Sequence, residues 1–190
     1  VSPASLMAAG LTLVGCGNLL SAWAVDHGGY LSFALTTAVT GAGAGLLNGD
    51  TQKNIMACVP RDRVGMASGM STTMRFSAIV LAIGVFGALL GSHTEQNLHA
   101  SLRQQARPWL EQSHFIATRV VAGDMPGALS QLPEAARTRI EPLATRAFVS
   151  GFGVVLWVAG ILALLGALLV GTLMRKPIPQ MATARPALQE

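Results

Sequence analysis

"TGAGAGLLNGD", residues Thr40 to Asp50, sets glycine at 41, 43, 45 and 49 within an otherwise apolar stretch. Such a run belongs either to a loop wrapped around phosphate or to a helix stripped of side chains for close approach. The dinucleotide fingerprint G-x-G-x-x-G follows a strand, opens a helix and is answered by an acidic residue about 20 positions on. Here the spacing is G-x-G-x-G, and the preceding "LSFALTTAV" already belongs to the apolar run. The phosphate reading lacks its context. At helical spacing Gly41, Gly45 and Gly49 fall on one face, with Thr37 one turn before them. A small-xxx-small ridge of this kind lets a neighbouring helix backbone come close in lipid.

Working outward, composition agrees with lipid. The 190 residues are 51% hydrophobic and only 12% charged, against roughly 25% charged in soluble domains. Uncharged runs extend from Val1 to Val25, Gly28 to Gly49, Phe76 to Ser92 and Ala147 to Met174. A membrane span needs about 20 predominantly apolar residues, and the third run reaches that length when it starts at Met66 and tolerates Arg75. The expectation is an all-α integral membrane fold with four transmembrane helices, at about 4–25, 30–50, 66–91 and 147–174. They form a single membrane domain over 1–176, with an outer loop at 92–146 and a disordered cytoplasmic tail at 177–190. Further four-spaced rows of small residues, Gly65–Gly69–Thr73–Ser77, Gly87–Gly91 and Ala163–Ala167–Gly171, suit packing inside a bundle.

Lysine and arginine in short loops set orientation. The loop Thr51 to Gly65 carries Lys53, Arg61 and Arg63, Arg175 and Lys176 follow the last run, and the turn Asp26 to Gly29 has neither residue type. Both ends are therefore expected in the cytoplasm, across the cell's inner (plasma) membrane. The segment Ser92 to Arg146 holds six arginines and pulls the other way, although long loops translocate largely regardless of charge. Its "QNLHASLRQQARPWLEQ" has helical spacing, and Pro108, Pro126, Pro133 and Pro142 are expected to break it into short pieces of a cap.

No enzyme chemistry emerges. His27, His93, His99 and His114 have no ligand spacing and no cysteine joins them, so no metal is expected. Cys16 and Cys58 sit at different depths, which excludes a disulfide between them. "LVGC", Leu13 to Cys16, has no positive charge before it and runs on to Val25, unlike a removable signal. No cofactor is called for, and the net charge of +4 reflects membrane flanks rather than nucleic-acid binding.

Polarity inside the second and third runs is the remaining signal: Thr36, Thr37, Thr40 and Asn48 in one, Ser68, Ser71, Thr72, Thr73, Arg75 and Ser77 in the other. Polar groups within spans tend to face a bundle interior or water-filled cavity. Helices two and three are expected to line a pathway, with one and four facing lipid. Candidate pathway residues are Thr37, Asn48, Asp50, Thr72 and Arg75, and candidate packing residues are Gly41, Gly45, Gly49, Gly65 and Gly69. Arg75 and Asp50 would lie at similar depth on antiparallel neighbours, towards the cytoplasmic side, and could pair.

"GAGAGLLNGDTQKNIMACVPRDRVGMASGMSTTMRFSAIVLAIGVFGALLG", a long outer loop, and "RAFVSGFGVVLWVAGILALLGALLVGTLMRK" together resemble the end of a major facilitator superfamily transporter. The likeness is narrower to fourteen-helix drug:proton antiporters, through the glycine run before the loop, "VP" then "RVGMASG", an arginine one turn on, and "AF" opening the last helix. It covers nearly the whole chain. The resemblance implies the last four helices of a longer transporter, part of its C-terminal lobe, with the proton-carrying acids upstream of Val1. Its partners would be the bilayer, the remaining helices, a small-molecule substrate and protons. The alternative is a free-standing four-helix membrane subunit with a structural or partner-binding role, its specificity in the 92–146 cap.

Overall fold

Four helices are long and apolar enough to cross a bilayer. The computed structural model describes residues 3–27, 29–57 and 59–173, apart from the side chains of 3–4, 26–27, 49–55 and 57. The helices are α1 (Pro3–His27), α2 (Tyr30–Ala57), α3 (Val64–Gln105), α4 (Ser113–Val121), α5 (Met125–Leu129) and α6 (Glu134–Leu173). Tight 3-10 turns occupy Arg61–Arg63 and Arg107–Gln112, and no strand occurs among the described residues.

The four long helices stand in the order α2, α1, α6, α3. α1 packs on α2 and α6, α6 also packs on α3, and α2 touches α3 only lightly. The α1–α2 seam is built from small and hydroxylated residues in antiparallel register. The Ser21 hydroxyl donates to Thr36 Oγ1 at 2.9 Å. A methyl placed on Gly17 would collide with Thr40; one on Gly43 would lie 2.8 Å from Val14 N and 2.9 Å from Gly10 O; one on Gly10 would lie 2.9 Å from Leu47 Cγ. The seam thus reads Gly10, Val14, Gly17, Ser21 on α1 against Leu47, Gly43, Thr40, Thr36 on α2. Steps of four, three and four keep these residues on one face of each helix.

On its other side α1 meets α6 through Gly15 and Gly160. A methyl on either would come within 3.1 Å of the other's carbonyl oxygen. Leucine against leucine gains little in lipid, so close backbone contact at such points holds the helices together.

This arrangement places α1, expected to face lipid, between two neighbours, while α2 and α3 stand at the ends with their polar faces uncovered. In α1 33% of the most apolar window is buried, but none of it in α3 and 6% in α2. The reason is the glycine placement: α1 carries close-approach positions on two faces, and α2 and α3 are left at the ends.

The helix boundaries also differ from the sequence reading. At about 1.5 Å per residue, the 42 residues of α3 and 40 of α6 reach about 60 Å, twice the roughly 30 Å of a hydrocarbon core. Both helices therefore run on beyond the membrane into the segment expected to be a loop. Pro142 does not break the chain; it lies inside α6. Pro108, Pro126 and Pro133 do sit where elements start or end, where a missing N–H costs nothing. The helix extensions, the second 3-10 turn, α4 and α5 enclose an apolar core of their own, with Leu98, Leu102, Ile116 and Ile140 fully buried. The 177–190 tail lies outside the described residues.

Candidate functional site

Exposed large apolar side chains form bands on the long helices that are compatible with embedding in a membrane. On α3 they run from Met66 to Val85, on α6 from Val149 to Leu173 and on α2 from Leu31 to Leu46, with none between 92 and 147. Met66 to Val85 spans 19 rises of about 1.5 Å, roughly 29 Å, which matches a hydrocarbon core of about 30 Å. The corresponding stretch of α6 is longer and that of α2 shorter. Between 92 and 147 the cap exposes no large hydrophobic group.

Arg75 lies at the middle of that band, nine residues after Met66 and ten before Val85, and its side chain is exposed. Asp50 lies on α2, but its side chain is outside the described residues, and so is its pairing with Arg75. Thr37 and Asn48 on α2 and Thr72 on α3 are all exposed. Thr72, Thr73, Phe76, Ser77, Val80 and Leu81 line a shallow hollow of about 590 Å³. Thr37, Asn48, Thr72 and Arg75 therefore sit on the outward surfaces of the two outermost helices.

The candidate packing glycines share that placement. Nothing lies within 4 Å of a methyl built on Gly41, Gly45, Gly65 or Gly69; Gly49 is outside the described side chains. Gly43 instead makes the close contact with α1. Two residues along a helix turn the face by about 200°, so Gly41 and Gly45 point away from the α1 seam. The four-spaced ridge is open in this chain. A search for steps of four and three through small residues would have found the seam; a search for steps of four alone selects the opposite face.

Two features had no counterpart in the sequence reading. Phe33, Phe152 and Phe148 form a ring cluster, with centroids 6.5 Å and 6.2 Å apart, beside a groove of 340 Å³ that also takes in Tyr30. Farther along α6, Gly151 meets α3 at Thr94, whose fully buried hydroxyl has no hydrogen-bond partner among the described residues. One turn on, the Asn97 amide donates to Ser150 Oγ at 3.3 Å.

Among the described residues, ion pairs lie in the cap and in the Arg61–Arg63 turn, where Arg63 Nε is 3.8 Å from Asp62 Oδ2. Arg119 Nη1 donates to Asp124 Oδ2 at 2.7 Å and its guanidinium lies 5.2 Å from the Phe115 ring centre. Asp124 also accepts from Gly127 N at 2.9 Å at the start of α5. The Arg119 hydrogen bond, then the Gly127 N–H, hold the Asp124 carboxyl below its ordinary value. His114 Nδ1 lies 3.0 Å from Glu95 Oε2. No three His, Cys, Asp or Glu side chains converge as a metal site among the described residues. No family model, curated protein or solved structure matches this chain.

Proposed function

We propose that the chain is the C-terminal four-helix portion of a major-facilitator-type secondary transporter, coupled to protons and exporting drugs or other small molecules. One observation carries the reading: Thr37, Thr72 and Arg75 are exposed on α2 and α3 within the apolar band, and Asn48 is exposed just beyond its α2 end. An arginine at a helix centre costs roughly 2.5–3.5 kcal/mol on insertion scales, so such groups face a protein interior or water rather than lipid. Further helices covering α2 and α3 would turn these exposed faces into the wall of a pathway. The open glycines at 41, 45, 65 and 69 suit the close approach of those helices. Both ends of the segment are assigned to the cytoplasm from the charge of the 51–65 loop.

The cap, with its own apolar core, favours the second reading, a membrane subunit that recruits a partner. Transport separates the two. Proton coupling needs a titratable group within the membrane, and no Asp or Glu falls within the exposed apolar stretches of α2, α3 or α6. Proteoliposomes holding residues 1–190 alone, with an imposed proton gradient, are expected to show no gradient-driven dye efflux. A longer polypeptide carrying this sequence is expected to show it, and to lose it in Arg75→Ala. Efflux by 1–190 alone, or its absence from the longer chain, contradicts the proposal.

A further inference from the structure

We draw no further inference here: the strongest candidate, the apolar groove beside Tyr30, Phe33, Phe148 and Phe152 at the edge of the apolar band, carries nothing because no feature of the structure shows what covers it, and the exposed acid on the same face of α6, Glu141, stands two turns beyond its aromatic wall.

Discussion

Gly43 and Gly45 differ by two positions and by everything a side chain would meet. A leucine at Gly43 would be driven into the α1 backbone at Gly10 and Val14, and overpacking of this kind costs about 1–3 kcal/mol or more. A leucine at Gly45 enters open space in this chain. Thermal unfolding of residues 1–190 in detergent should therefore show a clear loss for Gly43→Leu and little change for Gly45→Leu. Equal losses would mean that the α1–α2 seam is misassigned. Thr94 offers the opposite test, since its buried hydroxyl lacks a partner among the described residues and a polar group left unsatisfied costs about 1–3 kcal/mol. Thr94→Val keeps the shape and removes that cost, so the midpoint should hold or rise; a marked fall would show that the hydroxyl is bonded after all.

At the scale of elements, what was legible depended on whether one face or two had to be read. The spans were visible because composition alone decides them: the expected 66–91 falls inside α3, and 147–174 follows α6 as far as Leu173. The outward run of those helices was not, because beyond the band they become amphipathic and bury only a stripe such as Leu98 and Leu102. Pro142 added to the misreading: a proline lacks one backbone donor, yet α6 continues through it beside Ile140, Leu143 and Ala144, all buried in the cap core. Tertiary packing overrides the local penalty. The Asp124 turn is a local device whose sign can be worked out. Its folded carboxyl is held below the ordinary value of 3.8, so its contribution is present above that value and is lost as pH falls through the lower folded value. Asp124→Asn should lower cap stability at neutral pH and flatten its dependence on acid below about pH 4. Circular-dichroism melts across that range would check this, and an unchanged acid profile would remove Asp124 from the account.

For the whole molecule, the chain forms a row with its two most polar helices at the ends and a water-adapted cap on one side of an apolar band. Sequence periodicity located the polar residues but could not say which helices stand next to one another, because neighbours are chosen by glycine contacts between distant segments. Arg75 shows the limit most clearly. Its presence in a span was readable, but its place at the middle of the band emerged only once the exposed stretch Met66–Val85 was known. The most direct test of this arrangement is thiol labelling with a membrane-impermeant maleimide. It would use a background in which Cys16 and Cys58 are serine, with single cysteines at Gln104 in the cap, Arg61 in the α2–α3 turn, and Leu162 in the α6 part of the band. Gln104→Cys should label from one side of the membrane, Arg61→Cys only from the other, and Leu162→Cys from neither. Labelling of Gln104→Cys and Arg61→Cys from the same side, or ready aqueous labelling of Leu162→Cys, would contradict it.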